Sequence, residues 1–188
     1  GLNRQLFLPT IALIEERLEV VRVAGPEDHR LGRLRSARTW FAPLGPEAAA
    51  GFDALWRDLT DGAAETDEAV ETAGRRERFD RTVGGFLRAD FTRLCGTALG
   101  PQDYLAIARR FHTAFLENVP RLGPEKRNEA RRLVTLIDAL YEARTKLIVL
   151  ADAEPEALYP AGDGAFEFER TVSRLQEMRS AAYLGAAH

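Results

Sequence analysis

The sequence predicts an α/β fold, and three observations carry that reading. From Glu125 to Arg144 the residues Leu133, Leu136, Ile137, Leu140 and Tyr141 recur at i, i+3, i+4, i+7 and i+8, which marks an amphipathic helix. Directly after it, Lys146-Leu147-Ile148-Val149-Leu150-Ala151 is a continuous apolar run of strand length, and Thr113 to Val119 reads as a strand before it. Strand, helix, strand is the order of a parallel crossover, whose strands are buried on both faces. With 188 residues, 45% hydrophobic and 29% charged, the chain is long enough to bury such a core, so a folded protein of one or two domains is expected.

The remaining elements follow in order. Phe7, Ile11 and Ile14 stand at helical spacing, with Pro9 tolerable near a helix start, and Leu18 to Val23 is a β-branched run stopped by Ala24-Gly25-Pro26. Glu27 to Arg38 is polar and rich in arginine. Trp40, Phe41 and Leu44 return the chain to the core, and Pro46 opens a helix to about Leu59 with Phe52, Leu55, Trp56 and Leu59 on one face. Thr60 to Ala73 carries Gly62, several acids and little apolar content, so it reads as a flexible connector and a soft boundary. Arg75 to Leu87 has β-like stretches interrupted by Gly84-Gly85. Pro101 to Phe111 reads as a helix with Asp103 at the positive end of its dipole. A last helix spans about Glu167 to Leu184, with Phe168, Val172, Leu175 and Met178 or Arg179 along one side.

Several classes are disfavoured. No apolar run approaches the roughly 20 residues that span a bilayer, and no signal-peptide or lipidation pattern is visible, so a cytoplasmic location is expected. Cys95 is the only cysteine, and His29, His112 and His188 are scattered, so neither a disulfide nor a metal site is expected. A net charge of -3 speaks against general attraction to nucleic acid. The cluster Arg30, Arg33, Arg35 and Arg38 lacks interleaved aromatics for base stacking before Trp40 and Phe41, which read as core anchors. The chain opens with Gly1 directly on an apolar-patterned segment, and its one methionine is Met178, which suggests a piece of a longer protein.

The phosphate loop G-x-x-x-x-G-K-[ST], G-x-S-x-G, H-E-x-x-H and C-x-x-C are all missing, so no self-sufficient catalytic centre is recognised. The candidates are arginines. At about 100° per residue, Arg170, Arg174 and Glu177 fall opposite Phe168, Val172 and Leu175. Two guanidinium groups one turn apart suit phosphate oxygens, because each is a planar fork of donors that keeps its charge at neutral pH. The competing reading is a solvated face with Glu177 as a weak ion-pair partner. Arg4 stands near a helix start and by itself indicates nothing. Asp138 and Glu142 suggest metal-binding carboxylates only weakly, having no partner at ligand spacing, and are expected to be solvated.

Together the residues resemble a known family, the ZapE-type cell-division ATPases of bacteria and their mitochondrial AFG-like relatives within the AAA+ superfamily. The resemblance rests on Gly1-Leu2-Asn3-Arg4 with Phe7-Leu8-Pro9-Thr10-Ile11, on Phe91-Thr92-Arg93-Leu94-Cys95 followed by Gly100-Pro101-Gln102-Asp103-Tyr104-Leu105, on Leu136-Ile137-Asp138-Ala139-Leu140-Tyr141, and on Phe168-Glu169-Arg170-Thr171-Val172-Ser173-Arg174-Leu175-Gln176-Glu177-Met178 with Tyr183-Leu184. It implies the C-terminal part of an AAA+ P-loop ATPase with helical lid elements and a family-specific strand-helix-strand region. Residues 1–24 would end the AAA+ core, 25–73 form an insertion and linker with one helix, and 74–188 a C-terminal α/β and lid region. Family members carry a phosphate loop, an acidic Mg²⁺-coordinating strand and a polar sensor strand upstream, so ATP and Mg²⁺ would be bound mainly there.

By the same resemblance Arg4 inherits the role of an arginine finger acting in trans, a group worth about 10³ to 10⁵ in rate in other nucleotide hydrolases. Arg170 or Arg174 inherits that of a second sensor, a lid arginine on the subunit's own ATP phosphates. The implied activity is ATP hydrolysis by a homo-oligomeric ring that remodels a protein client. In the bacterial branch that client is the tubulin-like division protein, with peripheral membrane association through partners and no nucleic acid. The alternatives are a non-catalytic protein-interaction module and a mitochondrial-type quality-control ATPase. One departure is that family members commonly have Asp-Tyr-Arg where this chain has Asp28-His29-Arg30.

Overall fold

In a computed structural model of the chain, the structure describes residues 32–72, 74–186 and 188. The opening helix and strand expected before Gly25, together with Arg4 and His29, lie outside the described residues. Residues 32–35 are helical. Then follow β1 (Trp40–Phe41), α1 (Pro46–Leu59), β2 (Thr66–Glu71), β3 (Arg76–Val83), β4 (Phe86–Asp90), α2 (Pro101–Arg110), β5 (Thr113–Val119), α3 (Arg127–Glu142), β6 (Lys146–Ala151), α4 (Ala165–Met178) and α5 (Ala181–Leu184).

One sheet of six strands runs in the order β1-β6-β5-β4-β3-β2. β1, β6, β5 and β4 pair in parallel, and the β3–β4 and β2–β3 pairs are antiparallel. The expected crossover is therefore present: β5, α3 and β6 form a parallel unit with Phe115 beside Ile148 and Leu116 beside Val149. All six residues of β6 are buried. Because successive side chains of a strand point to opposite faces, β6 feeds two cores. Leu147, Val149 and Ala151 join Leu133, Leu136, Ile137, Leu140, Phe168 and Leu175 on the side of α2, α3 and α4. Ile148 and Leu150 join Phe52, Trp56 and Leu59 on the side of α1. The result is a three-layer α/β arrangement, and strands before and after residue 74 share its sheet.

Three local expectations are corrected. Leu44 is 38% exposed, so Trp40 and Phe41 carry the return to the core without it. Part of the expected connector, Thr66–Glu71, is an edge strand. Its acids, which read as solvating, face the arginines of β3: Glu71 pairs with Arg76 and Asp67 with Arg78, and Glu68 pairs with Arg110 of α2. Cross-strand charge pairing stabilises the edge where hydrophobic patterning is weak. The last helix is two helices, because Ser180 leaves helical geometry and its side chain accepts a hydrogen bond from the Tyr183 amide, capping α5.

Two polar devices fix the layers. Asp103 caps the start of α2, its Oδ2 accepting from the Gly100 amide at 2.7 Å and from Arg75 at 2.6 Å. Burial works to raise that carboxyl's pKa, and hydrogen bonds from Gly100, Thr72 and Arg75 overcome the effect, leaving it below the usual aspartate value. Arg88 of β4 is buried on the α1 face, where it donates to Glu117 and Asp53, each at 2.6 Å. Its guanidinium also stands 5.0 Å from the centroid of the Phe52 ring. Arg81 reaches the other oxygen of Glu117 at 2.8 Å. Breaking a buried pair leaves an uncompensated charge, whereas replacing both partners by apolar groups does not. Arg88→Ala is therefore expected to destabilise the fold by about 3 kcal/mol, read by urea denaturation. Arg88→Met with Glu117→Leu should recover most of that loss, and a double variant as unstable as Arg88→Ala would contradict the assignment.

Candidate functional site

The described site candidates meet where α3 packs beside α4. Along α3, Leu133, Leu136, Ile137 and Leu140 turn to the sheet, which leaves Asp138 and Tyr141, one turn apart, on the flank facing α4. Along α4 the buried stripe is Phe168, Thr171, Leu175 and Met178, with Val172 only half-buried. This stripe is rotated from the expected one toward Arg174, so Arg170 and Arg174 flank the buried face and do not stand opposite it. Thr171 is a poor apolar anchor by composition, which is why hydrophobic spacing selected Val172.

Both guanidinium groups converge on one carboxylate. Arg174 donates to Asp138 Oδ1, and Arg170 reaches Oδ2 at 3.2 Å. Asp138 is thus an ion-pair acceptor between two helices, which corrects the expectation that it is solvated. Glu177, expected as the arginines' partner, accepts from the Tyr141 hydroxyl at 2.7 Å instead. That carboxylate and burial together raise the phenol's pKa.

The two arginines differ in surroundings. The Arg174 side chain is 23% exposed and lies 5.1 Å above the Tyr141 ring. Tyr141 stacks on Tyr183 of α5 at 5.7 Å, and the Lys146 ammonium stands 5.3 Å from the Tyr183 ring. A cation, two rings and a second cation therefore form a ladder from α4 through α3 and α5 to β6. Lys146 Nζ also donates to the carbonyls of Arg144 and Ala186 at 2.9 and 2.7 Å, tying the C-terminal residues to the strand. Burial lowers the Lys146 pKa. Arg170, by contrast, is 65% exposed and, among the described residues, pairs with Asp138 alone.

Arg170 also lines a cleft of about 420 Å³ with Arg127, Asn128, Arg131, Gly164 and Glu167. Arg127 and Asn128 begin α3, and Gly164, with φ of 87°, precedes α4. Two helix N-termini thus open on the same space, which favours an anion there. Arg127 is held loosely, 3.5 Å from Asp163, with both groups exposed. The lining also holds the carboxylates of Asp163 and Glu167, so three guanidinium groups face two acids, a net positive donor set able to meet phosphate oxygens. Arg127 and Arg131 carry no motif spacing with Arg170. Only the parallel packing of α3 and α4 brings them together, so sequence reasoning missed them.

Of the arginines expected as a cluster, Arg30 lies outside the described residues and the other three serve internal ties. Arg33 bonds Asp58 and Asp61, Arg35 the Gly185 carbonyl, and Arg38 the Trp40 carbonyl. Among the described residues, no group of three or more His, Cys, Asp or Glu side chains is placed to hold a metal ion. No described helix is long and apolar enough to cross a membrane.

Comparison with known proteins adds a family. The profile of the AFG1-like ATPases matches residues 1–187. The chain is 38% identical over all its 188 residues to the cell division protein ZapE of Escherichia coli strain K12, covering 50% of that relative. It is 29% identical to lactation elevated protein 1 homolog B of Danio rerio, over 97% of the chain and 43% of the relative. An uncharacterized protein of Schizosaccharomyces pombe is 27% identical over 98% of the chain and 47% of its own length. The chain thus spans about half the length of the curated relatives it matches. No solved structure matches it.

The unequal settings of the two arginines have a measurable consequence. Arg174→Ala removes the half-buried ion pair and the ring contact together and is expected to cost about 1 to 2 kcal/mol of stability. Arg170→Ala breaks an exposed pair and should cost no more than about 0.5 kcal/mol. Equal losses in chemical denaturation would contradict the distinction.

Proposed function

Because the chain belongs to the AFG1-like ATPase family, we propose that the whole protein hydrolyses ATP as a ring-forming AAA+ motor and uses turnover to remodel a protein client. The relation to a bacterial protein named for cell division favours that process as the setting, and within it we propose the tubulin-like division protein as the client. In this reading ATP and Mg²⁺ are held chiefly by a phosphate loop and an acidic strand outside this chain. The chain contributes Arg4 as a finger to a neighbouring subunit's nucleotide and Arg170 as the lid arginine to its own.

The observation that carries the reading is the contrast within the pair. Arg174 is committed to Asp138 and the Tyr141 ring, whereas Arg170 is exposed and lines a cleft with Arg127 and Arg131. Those three guanidinium groups would hold phosphate oxygens, supplying fixed positive charge that water cannot match in place. A second reading, a protein-interaction module, is favoured by Phe166, which is 81% exposed one helical turn before Arg170.

Three measurements test the proposal. Arg4→Ala in the complete protein should abolish ATP turnover and leave ATP affinity nearly intact, and unchanged turnover would remove the finger assignment. Arg170→Ala should weaken ATP binding about tenfold, as expected for loss of one charged hydrogen-bonded contact. The isolated 188 residues should show no multiple-turnover hydrolysis, and steady phosphate release by them would overturn the division of labour.

A further inference from the structure

We infer that Asp138 is a positioning residue for nucleotide binding: its carboxylate competes with phosphate for the guanidinium of Arg170, which lines the cleft, and so lowers the affinity that Arg170 confers. This inference rests on the reading of Arg170 as the lid arginine.

The geometry supplies each step. Asp138 spends one oxygen on each arginine, so Arg170 can leave without disturbing Arg174. Arg174 has a second anchor in the Tyr141 ring, while Arg170 has none. Arg170 also lines the cleft that Arg127 and Arg131 share, so the same guanidinium that pairs with Asp138 is within reach of an anion there. Two guanidinium groups share the one Asp138 carboxylate, so neither is fully matched by it and Arg170 keeps attraction for a phosphate group. An exposed ion pair is weak, so the competition is set near balance and not locked. The carboxylate therefore tunes affinity, because charge and donors that Arg170 gives to Asp138 are not given to phosphate.

A double-mutant cycle on the full-length protein separates this role from a structural one. Asp138→Asn keeps an oxygen for Arg174 and removes the charge that retains Arg170. Binding of a fluorescent ribose-labelled ATP analogue is titrated in four proteins: unmodified, Asp138→Asn, Arg170→Ala and the double variant. Asp138→Asn should tighten binding about threefold, the scale of an exposed ion pair, and should have no effect on affinity once Arg170 is gone. The Tm should fall in both backgrounds, and slightly less without Arg170, because the loss at Arg174 is common to them and the weak Arg170 pair is already gone. Unchanged or weakened binding in Asp138→Asn, or equal tightening without Arg170, would overturn the inference. If Arg170→Ala alone leaves affinity unchanged, the lid-arginine reading fails first and the inference falls with it. If Arg170→Ala weakens binding and Asp138→Asn does not tighten it, only the inference fails.

Discussion

Strand β6 sets the constraint on which the remaining structure depends. Six consecutive buried residues with parallel strands on either side leave no face for water. Such a strand is stable only if helices cover both sides, because its apolar groups must leave water and its backbone must find partners in the sheet. α1 supplies one cover and α2, α3 and α4 the other. α3 and α4 lie side by side as a result. The cleft, the Asp138 ion pairs and the aromatic ladder are consequences of that adjacency.

Charge is handled differently in the two helical layers. Under α1, Arg88 is closed in by aromatic rings and carboxylates, where a missing partner would strand a buried charge. Between α3 and α4 the ion pairs sit at the edge of the packed face, where solvent screens them and exchange of partners is cheap. The first arrangement makes a rigid wall. The second holds Arg170 by one exposed ion pair.

Much of the fold was legible in the residues. Helical spacing and apolar runs marked α1, α2, α3, β5 and β6 to within a few residues, and Gly84-Gly85 marked the turn between β3 and β4. β2 was not legible, because an acidic segment with little apolar content becomes a strand only through the arginines that face it. The break before α5 was hidden for a related reason: Ser180 in a helical pattern is unremarkable until its side chain caps the next helix. At the site, Arg170 and Arg174 were visible as a pair, but their partner was not. Asp138 carries no signal alone, since a carboxylate on a helix flank is ordinarily solvated.

By itself, then, the sequence determined the α/β class, the parallel crossover, the family and the residue types available for phosphate chemistry. These follow from periodicity, burial and motif order, all of which are local along the chain. Only the tertiary structure decided which arginine is clamped between a carboxylate and a ring and which is held by one exposed ion pair, because that depends on Asp138 and Tyr141 across the helix pair. Ion pairing and ring contacts act through space at a few ångströms, and sequence distance carries no record of them until the strands have brought the helices together.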